Sequence, residues 1–193
     1  MKTKFGTIES IKDSNSIQYY QLYEAIFKLK NLYRQGRLKR GIDEKECESV
    51  ADHSFGVSLL SYIISKEHCN NLDHNKVIIL GLIHDLAESI VGDFTPGEIL
   101  ESEKVTLELE GIRKILKGNK LEKEIIDYFE ELIYLKSDEA KFVMDIDKVE
   151  MCYQAKLYET NCNKDLGEFY YHSLGRVKSD IAKRLIEELI SIN

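Results

Sequence analysis

Val77-Ile78-Ile79-Leu80-Gly81-Leu82-Ile83-His84-Asp85-Leu86-Ala87-Glu88 is the stretch on which the reading of this chain turns. It follows the turn Asn70-Asn71-Leu72-Asp73 and predicts a helix over about 74–88 that is apolar nearly all round. Such a helix is usually a buried central one. Its end carries His84, Asp85 and Glu88. Burying those three groups is costly unless they are paired or bind a cation. Adjacent helical positions point about 100° apart, so His84 and Asp85 can both reach an ion set against the helix end. Glu88, four residues after His84, overhangs the same spot.

Working outward, apolar residues mostly recur at helical spacing. Residues 16–31 predict a first helix with Tyr19, Leu22, Ile26 and Leu29 on one stripe. A charged, turn-prone stretch from Asn31 to about Glu48 carries Arg34, Arg37, Lys39 and Arg40. A second helix is expected from about Ser49 to Lys66, with His53 in its first turns. The segment Gly92-Asp93-Phe94-Thr95-Pro96-Gly97-Glu98 reads as a loop. Helices are expected over 101–117 and 121–135, and Ser137-Asp138-Glu139 looks like an N-cap opening another to about 159. A last helix lies within 166–191. The fold class expected is all-α, with six or seven helices and no strand.

Composition agrees. The chain has 193 residues, 43% hydrophobic and 32% charged, with one proline and eleven glycines. That is a soluble globular composition, with too few breakers for a many-stranded sandwich or barrel. No repeat, low-complexity tract or linker marks a boundary, so one domain over 1–193 is expected. The formal charge of −7 gives no global basic field for nucleic acid or anionic membranes, so an anionic ligand must meet a local basic cluster. The longest apolar run is far short of a membrane span. No apolar segment follows the N-terminus, and Cys47, Cys69, Cys152 and Cys162 form no CxxC pair. Reduced thiols and a cytoplasmic location are expected, with no nucleic-acid or membrane partner.

A lone His-Asp dipeptide reads as a satisfied buried pair capping a helix. The rest of the chain shifts that balance. Ala51-Asp52-His53-Ser54 offers a second histidine at the start of a helix, and Met144-Asp145-Ile146-Asp147-Lys148-Val149-Glu150 puts carboxylates among apolar residues. Two imidazoles and two carboxylates would make a mixed site for one divalent ion with room for water. Asp145 and Asp147 point about 200° apart on a helix, so only one of them can face the ion. His68 and His74 beside Cys69 read as a surface turn, and His172 beside Tyr170 and Tyr171 as packing or an interface. The acidic run Glu101–Glu110 reads as a solvated helix face.

His…His-Asp…Asp in a helical chain of this length resembles the HD superfamily of metal-dependent phosphohydrolases. Three segments carry the likeness further: Glu48–Ser54, Ile83–Pro96 and Asp147–Met151. With Leu29-Lys30 and Arg34-x-Gly36-x-x-x-Arg40, they are similar to the 5′-deoxynucleotidases (YfbR-like) and the HD-domain-containing protein 2 group. The core motifs fall within about 18–160, and the fold implied is a helical HD bundle. The resemblance implies that His53, His84, Asp85 and Asp147 ligate one divalent metal, from Mn, Co, Fe, Ni, Zn or Mg. It selects Asp147 over Asp145, gives Glu88 and Asp93 catalytic roles, sets Asp93 beside the substrate and assigns Arg34 to the 5′-phosphate. The activity implied is removal of the 5′-phosphate from (deoxy)nucleoside monophosphates, and the assembly implied is a homodimer. The subgroup also carries a tryptophan shortly after the phosphate-binding arginine. This chain has none, and Arg37 stands there, either as a second phosphate contact or solvated.

Three other readings compete. Guanosine tetraphosphate hydrolases follow His-Asp with Glu-Asp, whereas here Glu88 precedes Ser89. Cyclic-nucleotide phosphodiesterases need further histidines after the His-Asp pair, and only His172 remains. A non-catalytic nucleotide sensor would have lost ligands, and all four positions and Glu88 are intact.

Overall fold

The computed structural model describes residues 2–4 and 18–192. The first two residues of the predicted 16–31 helix lie outside them. Among the described residues there are ten helices and no strand, only two isolated bridges, Thr3 with Leu32 and Tyr33 with Ser49. The all-α expectation holds. Among the described residues no helix is long and apolar enough to cross a membrane.

The chain forms two compact units, each drawing on two segments. The first unit takes residues up to Ser54 and Ile83–Tyr134. It contains α1 (Gln18–Asn31), α2 (Gln35–Lys39), the first turn of α3 (Val50–His68), α5 (Glu88–Val91), α6 (Glu101–Leu116) and α7 (Glu122–Tyr134). Within it α1, α5 and α6 pack together, and α7 packs on α6. Ala25, Leu29, Leu86, Ile112, Ile115 and Phe129 are among its buried residues. At Gly111 α6 lies against Ala87 and Ile90, and a Cβ there would make ordinary contact at 3.5 Å.

The second unit takes Phe55–Leu82 and Leu135 onward. It holds the rest of α3, α4 (His74–Ile83) up to Leu82, α8 (Asp138–Cys162), α9 (Glu168–Leu174) and α10 (Asp180–Ser191). Helices α8, α9 and α10 contact one another. Ser137 caps α8 as expected, accepting from the Ala140 amide at 3.2 Å. Gly81 is required by packing, since a Cβ there would lie 2.6 Å from the Ser58 Cα, inside backbone contact distance.

Ten helices rather than six or seven reflects three short segments. Helices α2, α5 and α9 have five, four and seven residues, too few to display an apolar period. Helix α2 lies inside the stretch read as turn-prone, and the C-terminal segment divides into α9 and α10. The helix expected over 74–88 stops at Ile83. Tighter bonds between residues three apart take over, Leu86 N–H to Ile83 and Glu88 N–H to Asp85, before α5 begins. His84 and Asp85 therefore stand on a turn, and Glu88 opens the next helix.

Candidate functional site

The first unit gathers His53, His84, Asp85, Glu88, Asp93 and Arg34. His53 is fixed by the start of α3. Ser49 N–H and Oγ donate to Asp52 Oδ2 at 2.9 and 2.7 Å, while the Asp52 amide donates to Ser49 Oγ at 3.2 Å. These reciprocal bonds satisfy amides at the helix start and fix where His53 sits. The His53 side chain is fully buried. His84 comes from the turn after α4, and its Nε2 stands 3.3 Å from His53 Nε2. Asp85 Oδ2 is 3.2 Å from His84 Nε2 and 3.7 Å from His53 Nε2.

These three donor atoms form a triangle compact enough to hold one ion. Donors about 2.1 Å from an ion stand about 3.0 Å apart in octahedral and about 3.4 Å apart in tetrahedral coordination. The observed edges of 3.2, 3.3 and 3.7 Å fit a divalent ion. The donor set, two imidazoles and a carboxylate, suits a borderline ion. Burial opposes ionisation of Asp85, but the charge and hydrogen bond of His84, with Arg34 and His53, hold its carboxyl well below the usual range. It is therefore an anion ready to ligate.

Arg34 precedes α2 and reaches the same carboxylates. Its Nη1 lies 3.3 Å from Asp85 Oδ2, 3.3 Å from Asp93 Oδ1 and 3.9 Å from Glu88 Oε2. Asp93 fixes the Arg34 backbone as well, because its Oδ2 accepts from the Gln35 amide at 2.7 Å. Gly92, at φ +91°, supplies a backbone turn that side chains rarely adopt just before Asp93. Glu88 is buried, and its Oε2 has no hydrogen-bond partner among the described residues. Burial, Asp85 and Asp93 raise its pKa well above the usual carboxylate value, against Arg34 and Lys104. A buried carboxyl that tends to keep its proton beside a metal triangle is a candidate acid or base.

Asp147 lies on α8 in the second unit, 3.6 Å from Lys148 Nζ. Asp145 is employed otherwise. It is buried, and its carboxylate accepts from the Lys178 amide at 3.1 Å and the Ser179 amide at 2.6 Å, holding the chain just before α10. The solvated alternative for Arg37 does not hold. Arg37 is only 2% exposed, and its Nε pairs with Glu48 Oε1 at 3.2 Å. Buried guanidinium needs such a partner.

The acidic run on α6 is mostly exposed, with one exception. Glu108 is buried and pairs with Lys104 at 3.3 Å. Lys104, whose charge acts on Glu88, belongs to no motif, and its four-residue offset from Glu108 is the one mark of it in the sequence. Glu48 does more than stand in a motif: its carbonyl accepts from the Arg34 amide and its carboxylate holds Arg37.

The family model described as "HD domain" matches residues 26–190. The chain belongs to the HD domain family. Among similar proteins, the 5′-deoxynucleotidase HDDC2 of Dictyostelium discoideum is 33% identical, covering 90% of this chain and 97% of its own. The 5′-deoxynucleotidase YGK1 of Saccharomyces cerevisiae is 35% identical over 84% of this chain and 77% of its own. Among solved structures, the PH0347 protein of Pyrococcus horikoshii superposes with a TM-score of 0.73 at 28% identity, covering 88% of this HD chain and 97% of its own.

Proposed function

We propose that this HD domain protein is a metal-dependent phosphohydrolase that removes the 5′-phosphate from (deoxy)nucleoside monophosphates, giving nucleoside and inorganic phosphate. One observation carries the reading: Asp85 Oδ2 belongs to the metal triangle and also touches Arg34 Nη1 at 3.3 Å. A cation site and a guanidinium that share one carboxylate can grip one phosphate from two sides. The resemblance of the motif segments and the similarity to curated 5′-deoxynucleotidases support the substrate class. His53, His84 and Asp85 would hold one divalent ion, with Asp147 carried over from the family register as a further ligand. A divalent ion held there supplies Lewis acidity and an acidified water.

The chain's own groups supply the rest. Arg34 binds the phosphate through parallel N–H donors, which matters in a protein of net charge −7. Asp93 holds Arg34 in place from below. Water oxygen bonds to phosphorus as the bond to the 5′ oxygen breaks, and the leaving 5′ oxygen takes a proton. Glu88 Oε2, which lacks a fixed hydrogen bond, is placed to hold and pass that proton.

We read residues 1–193 as a single HD domain, since the family model runs through both compact units. A cytoplasmic homodimer is the state we assign. Four free cysteines suit a reducing compartment.

The test is phosphate release from dAMP and AMP, using metal-stripped protein given Mn²⁺, Co²⁺ or Mg²⁺ in turn. Metal-dependent release is expected. Release from dAMP alone would mean that another element replaces the missing tryptophan as sugar filter; equal release would make it a general nucleotidase. No release from either, with metal shown to be bound, would overturn the proposal.

A further inference from the structure

Helix α3 buries a run of serines beside Val50 and Val57 and leaves larger apolar residues exposed. Its buried positions include Ser54, Ser58, Ser61 and Ser65, while Phe55, Leu59 and Ile63 are 64%, 46% and 44% exposed. Three of the four donate to carbonyls, Ser54 Oγ to Val50, Ser58 Oγ to Ile78 of α4 and Ser65 Oγ to Tyr62, each at 2.9 Å, while Ser61 Oγ has no hydrogen-bond partner among the described residues. Small residues there serve close packing, as the Gly81–Ser58 approach requires. Among the described residues nothing covers these large apolar side chains. Isolated exposed apolar residues need no explanation, but an unbroken stripe on one helix does.

The stripe is symmetric about Leu59. Phe55 and Ile63 lie four residues to either side, and Asp52 and Lys66, both exposed, lie seven to either side. At about 100° per residue all four fall within about 40° of Leu59, along about 21 Å of helix. Turned antiparallel against itself about a two-fold axis at Leu59, the helix sets Phe55 on Ile63, Leu59 on Leu59 and Asp52 on Lys66. Apolar meets apolar and acid meets base at every level. Seven-residue spacing is also that of a two-helix seam. Each end charge is positioned within its own chain: Asp52 by Ser49, with Lys4 Nζ 3.8 Å away, and Lys66 over the Tyr62 ring at 5.7 Å.

The other apolar stripe, Tyr19, Tyr23 and Phe27 on α1, has no such complement. That helix has no acid in its first turn to face Lys28 and Lys30, and Lys30 already covers the Tyr23 ring at 5.6 Å.

We propose that the outward face of α3 is the self-association surface of this protein, pairing antiparallel with α3 of a second copy about a two-fold axis at Leu59. This rests on the homodimer reading above and names the face and register that reading leaves open. Isologous contacts of this kind are the commonest route to a closed dimer. A seam of about 21 Å lies at the small end of specific interfaces, so dissociation on dilution through the micromolar range is expected.

The experiment uses the full chain at about 100 µM, with light scattering to read mass against the 22.4 kDa monomer. Wild type should be a dimer, Leu59→Asp a monomer with unchanged helical circular dichroism, and Tyr23→Asp still a dimer. Lys66→Glu should shift the midpoint to higher concentration, and adding Asp52→Lys should restore it. In a second measurement, mild oxidation should link Leu59→Cys chains through Cys at the two-fold and leave Leu157→Cys chains unlinked. If Leu59→Asp stays dimeric and Leu59→Cys fails to link, the α3 face is wrong while the homodimer reading stands. A monomeric wild type would overturn both.

Discussion

At the scale of single residues, Asp85 and Glu88 are three positions apart and do opposite things. Asp85 is held ionised by His84, Arg34 and His53, whereas burial beside Asp85 and Asp93 raises the Glu88 pKa. Two carboxyls pushed apart in this way divide the labour of ligand and proton carrier. Glu88→Ala should keep its metal and lose turnover by about 10²–10⁴-fold. Asp85→Ala should lose both, read as metal content by elemental analysis alongside kcat. Retained turnover in Glu88→Ala would remove its assigned role. Cys47 gives a second residue-scale expectation. Burial and Glu48 push its thiol up to about 12, against Arg37 and Arg34. At pH 8 the native protein should leave Cys47 unmodified by iodoacetamide in peptide mass spectrometry, and denaturant should expose it.

At the scale of elements, α10 and the 92–98 loop each depend on one carboxylate. Asp145 accepts amide hydrogens from Lys178 and Ser179 just ahead of α10. Hydrogen bonds to a charged group are worth about 1.5–3 kcal/mol, so Asp145→Ala should lower the melting temperature by about 5–10 °C. Metal content should not change, and a loss of metal would reopen Asp145 as a ligand. In the loop, Glu98 accepts from the Thr95 amide and hydroxyl at 2.7 and 2.9 Å and pairs with Lys39 of α2 at 2.6 Å. Lys39 and Thr95 draw the Glu98 pKa down from 4.5 to about 2. A folded value below the unfolded one means that the tie is in place above about pH 4.5 and is lost as pH falls towards 2. An NMR titration of the Glu98 carboxyl should follow that window, and in Lys39→Ala the midpoint should move up.

At the scale of the whole molecule, the sequence carried the metal triangle because polar residues interrupt apolar stretches there, and burial makes such interruptions expensive. His53, His84 and Asp85 were legible for that reason, as was the all-α class. The break after Ile83 was not, since apolar periodicity continues through Leu86 and Ala87 while the hydrogen bonding changes beneath it. Nor was the Arg37–Glu48 pair, formed within a charged stretch that patterning alone assigns to solvent. The triangle also makes a prediction for the whole fold. His53 and His84 Nε2, 3.3 Å apart, and the ionised Asp85 carboxylate converge where one cation could meet all three. Metal that binds the native state alone stabilises it by about 2.7 kcal/mol at one hundred times its dissociation constant. For a chain of this length that raises the melting temperature by about 5–10 °C. Chelator-treated protein should therefore melt lower by that amount and recover on adding Mn²⁺ or Co²⁺. Asp85→Ala should show no recovery, because the triangle has lost a corner; an equal rise in that variant would place the stabilising ion elsewhere.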